Sequence, residues 1–196
     1  LPGRFLQSIP PEVSSTPKTQ LDEASTALLT VDQPGIYYGE LSNDYVLVKT
    51  SEKELDYADE GETVYTNYDG VGGVGIGDLA RKLLFSMHFK DVDILLSQYL
   101  KSDTRILFRR QIVDRIRTLV PFLQLDGDPY VVISEGKMVF MADAYTTSDA
   151  YPYAEPIQIE GRSSFNYIRN SVKIVLDAYD GTVDLYMSDD SDPLIW

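Results

Sequence analysis

Apolar residues recur along this chain in two periods, and the change from one to the other marks its organisation. Between Asp78 and Pro121 they return every three or four residues, the spacing of a helix face. Asp78 is placed to cap a helix carrying Leu79, Leu83, Leu84 and Met87 on one face, and Asp91 a second one bearing Val92, Leu95, Leu96 and Tyr99. After Asp103, the positions Phe108, Ile112, Val113, Ile116, Leu119 and Val120 predict a third helix that Pro121 ends.

Either side of this block the pattern is that of strands. Tyr130-Val131-Val132-Ile133 and Met138-Val139-Phe140-Met141 flank Ser134-Glu135-Gly136-Lys137, and residues 172–176 and 183–187 flank a turn at 177–182, which predicts two hairpins. Residues 163–170 between them read as a short helix. Upstream, Ile36-Tyr37-Tyr38 and Tyr45-Val46-Leu47-Val48, split by Ser42-Asn43-Asp44, predict another hairpin. Residues 51–77 are polar and glycine-rich, the composition of a functional loop or a long crossover. The fold class that follows is α+β, with antiparallel hairpins at both ends of the chain around a central helical block. Residues 1–35, rich in proline, read as an extended arm anchored on the body by Phe5, Leu6, Ile9 and Val13, and 36–196 as one globular domain. Asp-Ala-Tyr at 143–145 and again at 177–179 raises a weak suggestion of duplication.

Composition narrows the function classes. The net charge of -14 over 196 residues repels phosphate backbones and anionic headgroups, so nucleic acid is not an expected partner. There is no cysteine, which removes disulfides, thiolate nucleophiles and cysteine-based zinc sites. No apolar run approaches the ~18 residues of a membrane span. The start Leu1-Pro2-Gly3-Arg4 and the apolar end Leu194-Ile195-Trp196 suggest a piece of a longer polypeptide.

Candidate chemistry is sparse. Gly70-Val71-Gly72-Gly73-Val74-Gly75 satisfies G-x-G-x-x-G, yet neither a preceding apolar strand nor a following Gly-Lys-Ser/Thr supports a phosphate loop, and conformational freedom is the favoured reason for its glycines. Five of the nine arginines fall at 105, 109, 110, 115 and 117; Arg105, Arg110 and Arg117 are the candidates for an anion, against pairing with the protein's own carboxylates. Asp177, Asp180 and Asp184 surround a tight turn, with Asp189, Asp190 and Asp192 beyond it, so calcium is the one cofactor to consider; turn chemistry explains the same residues. Tyr145, Thr147, Asp149, Tyr151 and Tyr153 make the preferred ligand-binding stretch, suited to stacking on a glycan or peptide. The single histidine, His88, near a helix end, has no visible nucleophile beside it.

Several longer motifs together resemble one family. Ile36-Tyr37-Tyr38-Gly39-Glu40, residues 69–74, residues 105–110, Asp143-Ala144-Tyr145-Thr146-Thr147-Ser148-Asp149 with Tyr151-Pro152-Tyr153, residues 165–173 and residues 177–183 are similar to Uncharacterised Protein Family 0182. Leu1-Pro2 and Ile9-Pro10-Pro11 extend the likeness over nearly the whole chain. The resemblance implies a large bacterial parent with several N-terminal transmembrane helices, this chain being part of the hydrophilic region that follows. It implies a domain at the cell membrane on the extracytoplasmic side, periplasmic or extracellular, tethered only through the parent, and it carries over no catalytic residue. The leading expectation is a noncatalytic module that binds a glycan, a protein or the membrane-embedded part of its own parent. The alternatives are a hydrolase-like enzyme using paired carboxylates or a metal, and a calcium-stabilised structural module.

Overall fold

The computed structural model describes residues 30–59, 62–158 and 164–195. The anchors expected of an N-terminal arm, Phe5, Leu6, Ile9 and Val13, lie outside the described residues, as does Ser163. Ten strands and three helices follow in the order β1 (Val46–Val48), β2 (Glu54–Asp59), β3 (Glu62–Thr66), β4 (Val74–Gly75), α1 (Leu79–Phe89), α2 (Asp93–Leu96), β5 (Arg105–Leu107), α3 (Ile112–Leu119), β6 (Gln124–Leu125), β7 (Tyr130–Ser134), β8 (Lys137–Ser148), β9 (Tyr167–Asp177) and β10 (Val183–Met187) among the described residues. Helices and antiparallel sheets are both present, so the fold class is α+β.

The largest sheet runs β10-β9-β8-β6, with β7 also paired to β8. Strict alternation builds its inner face: Met138, Phe140, Ala142 and Ala144 of β8 and Val172, Ile174 and Leu176 of β9 are buried. Ile112 and Ile116 of α3 enter the same core, together with Tyr37, Tyr38 and Tyr68. Both C-terminal hairpins expected from the sequence are present. In β7–β8 the register pairs Ser134 with Lys137, leaving the two-residue turn Glu135-Gly136, both at positive φ (52° and 74°) as a twisted hairpin demands. A second core cluster, Ile76, Ile94 and Ile106, lies under α1 and α2 and is filled out by Phe85, Phe89, Phe108 and Tyr45.

Several elements differ from the expectation. The hairpin expected over residues 36–48 does not form. Tyr37 and Tyr38 are both buried, which an extended pair with side chains on opposite faces of an outer strand would not allow. Their N–H groups instead converge on the Ala178 carbonyl, at 2.9 Å each, and β1 pairs with β5. The stretch 51–77 is not one loop, since it contains the β2–β3 hairpin and β4. The third helix begins later than the periodicity suggests. Arg105–Leu107 is instead the central strand between β1 and β4, Arg109 turns the chain at φ 49°, and Gln111 caps α3 by accepting from Asp114 N–H at 2.7 Å. Residues 167–170 belong to β9, not to a short helix. The two Asp-Ala-Tyr segments are not equivalent: Asp143 sits mid-strand opposite Lys173, whereas Asp177 ends β9 and caps the following turn.

Candidate docking surface

The helix α1 starts as its sequence predicts, with the Asp78 carboxylate accepting from Arg81 N–H at 2.9 Å. Its orientation is the reverse of the expectation. Phe85, Ser86 and Phe89 face the second core cluster, while Leu79, Leu83, Leu84 and Met87 are 73%, 48%, 66% and 68% exposed. Two aromatic side chains one turn apart offer more area than the leucines, and they meet Phe108 and Tyr45 at ring separations of 5.6 and 4.6 Å. Apolar residues lie on two sides of the helix LARKLLFSMHF, leucines and methionine on one and Phe85 and Phe89 on the other, so the period alone did not tell which stripe turns inward. Beyond it, α2 buries Ile94 but leaves Leu96 exposed, as is Val92 just before its start. Asp91 holds the entry to α2 by accepting from Asp93 N–H at 3.0 Å and from the Tyr45 hydroxyl. One contiguous stretch of chain thus presents six large apolar side chains to solvent, beyond what scattered surface residues require. His88 is on this helix, its ring 4.8 Å from that of Phe89.

By contrast, the polar clusters are closed on themselves. The glycine-rich loop surrounds an internal anion: Asp180 Oδ1 accepts from Val71 N–H at 2.9 Å, Gly72 N–H at 3.3 Å and the Tyr68 hydroxyl at 2.5 Å. On its other side Arg105 donates to the carbonyls of Val71, Gly72 and Gly73 at 2.9, 2.6 and 2.8 Å. The glycines are needed for this closeness, because a Cβ at Gly70 would fall on the Asp180 carboxylate and one at Gly72 on the Asp180 backbone oxygen. The loop N–H groups that would have met a phosphate, one candidate anion-binding arginine and one candidate metal-binding aspartate are therefore engaged with one another.

Three tyrosines pack around that loop. The rings of Tyr37, Tyr68 and Tyr179 lie 4.7 to 5.1 Å apart, and each hydroxyl reaches a carboxylate, those of Glu54, Asp180 and Asp69 respectively. Burial, aided by these carboxylates, pushes all three phenols up, that of Tyr179 to about 12. A small cleft of about 240 Å³ opens beside Tyr37 and Tyr179, with Asp32 and Asp69 on its wall.

The remaining candidate residues are spread over several elements. Arg110 is buried and donates to the carbonyls of Tyr37 and Asp44. Arg117 is exposed on α3, so the three arginines do not converge. Asp177 accepts from the N–H groups of Tyr179 and Asp180 at 2.7 and 2.9 Å, and Asp184 stands exposed on β10. No group of three His, Asp or Glu residues among the described residues is placed to hold a metal ion. Of the tyrosine-rich stretch, Tyr145 and Thr147 belong to β8, while Asp149, Tyr151 and Tyr153 follow it, with Tyr153 fully exposed at φ 63°. Tyr151 stacks on Tyr167 at 5.2 Å, and Asn166 pins its backbone.

One cluster is centred on a residue that the sequence offered only as part of an acidic run. Asp192 is fully buried beneath a bulge in the β8–β9 pairing and accepts from the hydroxyls of Thr146, Ser171 and Tyr167 and from Leu194 N–H. Burial alone would raise its carboxyl, but these four donors outweigh it and hold it below the usual carboxylate range. The run Asp189-Asp190-Ser191-Asp192 hinted only at an acidic turn; nothing in it foretold which acid is buried.

Comparison with known proteins follows the same outline. The model of the uncharacterised protein family UPF0182 matches residues 2–196. The chain belongs to this family. It is 46% identical over 194 residues to a UPF0182 protein of Bradyrhizobium diazoefficiens, covering 99% of this chain and 19% of that protein. It is 49% identical over 195 residues to one from Synechococcus sp. (strain JA-2-3B'a(2-13)), covering 100% of this chain and 22% of that protein. A Pelotomaculum thermopropionicum member is 45% identical over 195 residues, 100% of this chain and 20% of its own length. The chain thus spans about a fifth of the curated relatives it matches. No solved structure matches it. No helix among the described residues is long and apolar enough to cross a membrane.

Proposed function

We propose that this chain is a noncatalytic interaction domain of a larger, membrane-tethered bacterial protein, held on the extracytoplasmic side, whose α1–α2 face packs against the rest of that polypeptide. The observation that carries the reading is the exposure of Leu79, Leu83, Leu84, Met87, Val92 and Leu96 on one continuous segment. A domain this acidic has charge to spare for solvated surfaces, and an apolar face of this extent is the mark of a contact surface. Charge agrees with a protein partner: over residues 78–103 Arg81, Lys82, Lys90 and Lys101 balance Asp78, Asp91, Asp93 and Asp103, so the segment adds nothing to the net -14. The relatives' greater length supplies the partner, since about four fifths of each lies outside the match. The noncatalytic part of the reading is supported by the internal use of Asp180, Asp192, Arg105 and Arg110. The extracytoplasmic address rests on the family resemblance.

This chain has no cysteine, so a thiol introduced into it is the only one in the isolated domain, and in the longer protein its reaction is read against the same protein without the substitution. Met87→Cys in the isolated chain is expected to react rapidly with a maleimide, and at least roughly tenfold more slowly in the longer protein, where the face is covered. Equal rates in the two settings would sink the docking reading. Tyr153→Cys in the longer protein is expected to react in intact cells with a membrane-impermeant maleimide; reaction only after lysis would place the domain on the other side.

A further inference from the structure

The cleft of about 240 Å³ beside Tyr37 and Tyr179 keeps polar side chains that the fold does not use, unlike the clusters around Asp180 and Asp192. Its rim comes from two segments that are remote in sequence and separately pinned. Residues 32 and 33 are held on the β7–β8 turn, where Asp32 N–H and Gln33 N–H both donate to the Gly136 carbonyl, at 2.8 and 3.4 Å, and Gln33 bridges Lys137. Gly136, at φ 74°, serves the turn and the cleft together, because a Cβ on it would fall 2.2 Å from Asp32 Oδ2. The second segment, residues 66–69, is tied down where Asp69 N–H donates to the Tyr179 hydroxyl at 3.1 Å and Asp69 Oδ1 accepts from it at 2.7 Å, and where Tyr68 N–H donates to Glu54 at 3.3 Å. The rings of Tyr37 and Tyr179, crossed at 87°, complete the lining. A site held this firmly by its own fold has little ordering left to do when a ligand enters.

What the rim leaves unused decides what it fits. The side chains of Asp32, Gln33 and Asn67 have no hydrogen bond or ion pair, and only one oxygen of the Asp69 carboxylate is engaged. Both charged residues of the lining are acids, and no Lys or Arg stands among them. We propose that this cleft binds a primary ammonium group carried on a flexible alkyl chain, from a lysine side chain or a free alkylamine. The three N–H donors of such a group match the carboxylates of Asp32 and Asp69 and an amide oxygen of Gln33 or Asn67, and its apolar stem suits the tyrosine rings. A metal ion would find only two carboxylates here, and no group of three His, Asp or Glu among the described residues is placed to hold one. A quaternary ammonium would leave the amide oxygens without a donor, and a neutral hydroxyl would gain little from two like charges. The site lies apart from the α1–α2 face and does not rest on the docking reading.

The probe is pentylamine, protonated at neutral pH, with pentanol and tetramethylammonium as controls, titrated into the isotope-labelled chain at constant ionic strength and read by backbone amide NMR shifts. Pentylamine is expected to shift the amides of residues 32, 33, 35, 66–69 and 179 and to bind at least roughly tenfold more tightly than either control. Asp32→Asn and Asp69→Asn keep the shape and an acceptor oxygen while removing a charge, and each is expected to weaken binding roughly fivefold or more. The net charge of -14 attracts any cation to the whole surface, so Asp184→Asn, which removes the same charge from an exposed position on β10, serves as the control and is expected to leave binding unchanged. Equal weakening by Asp184→Asn, equal binding of tetramethylammonium or pentanol, or amide shifts that miss the cleft overturns the proposal. A lysine blocked at both backbone ends and diaminopentane distinguish the sources. Tighter binding of the blocked lysine assigns the cleft to a lysine side chain, tighter binding of the diamine assigns it to a free amine, and binding of neither overturns it.

Discussion

The Tyr68 hydroxyl donates to the Asp180 carboxylate at 2.5 Å across 112 residues of sequence, and this bond joins the glycine-rich loop to the β9–β10 turn. The same oxygen also holds Val71 N–H and Gly72 N–H. Asp180→Ala would leave Val71 N–H and the Tyr68 hydroxyl without this acceptor and Gly72 N–H with the Tyr68 oxygen alone, and a loss of about 1–3 kcal/mol of unfolding free energy is expected. Denaturant titration with and without calcium checks it: the loss is expected to be the same in both, because the carboxylate serves the fold's own donors.

Arg105 clamps the opposite side of the loop through three carbonyls. Arg105→Lys keeps the charge and loses the fork, so it is expected to destabilise nearly as much as Arg105→Ala, by about 1–3 kcal/mol. A fully rescuing lysine would show that charge, and not the planar donor set, holds the loop.

Asp192 makes stability acid-sensitive. Its folded pKa is depressed below the unfolded value of roughly 3.9, so its contribution is fully present above that pH and is lost as pH falls through the folded pKa. Asp192→Asn is expected to be less stable than the wild type at neutral pH and to lose less stability on acidification below about pH 4. Parallel melting curves between pH 3 and 7 would read both; curves that stay a constant distance apart would remove Asp192 as the source.

The tyrosine cluster acts at the other end of the scale. Folded pKa values raised above the free value, to about 12 for Tyr179, mean that its stabilising contribution is complete below about pH 10 and is lost as pH rises through the folded value. Phenolate absorbance during an alkaline titration is expected to show a late class of tyrosines that ionises together with unfolding. Tyr37→Phe, Tyr68→Phe and Tyr179→Phe together are expected to shrink it, leaving Tyr38, whose phenol burial also pushes up.

The exposed face of α1 contributes little to the fold of the isolated chain. Leu83→Gln with Met87→Gln is expected to change unfolding free energy by less than about 0.5 kcal/mol for each substitution, while lowering the tendency to aggregate. A loss of several kcal/mol would mean that this face is packed.

The two C-terminal hairpins were legible because their signals are local: alternation over four or five residues and a Glu-Gly turn suited to positive φ. The start of α1 was legible for the same reason, through a cap three residues from its donor. Phe108 misled because it falls in helical phase with Ile112 and Ile116, although the chain turns at Arg109 and Phe108 packs in the other core. Arg105, Asp180 and the loop 70–75 were weighed separately along the sequence, and the fold brings them together: the loop's carbonyls accept from Arg105 and its N–H groups donate to Asp180.

By itself, then, the sequence determined the α+β class, the C-terminal hairpins, the helix start at Asp78, the acidity and the family. These follow from residue spacing and composition, which act over a few residues or summed over all of them. Tertiary structure decided which stripe of α1 faces inward, which acid is buried, and that Asp180 is the anion held by the glycine-rich loop. Those outcomes depend on groups as far apart as Thr146 and Asp192, or Tyr68 and Asp180, and a buried polar group finds its partner only when the folded chain brings the donors to it.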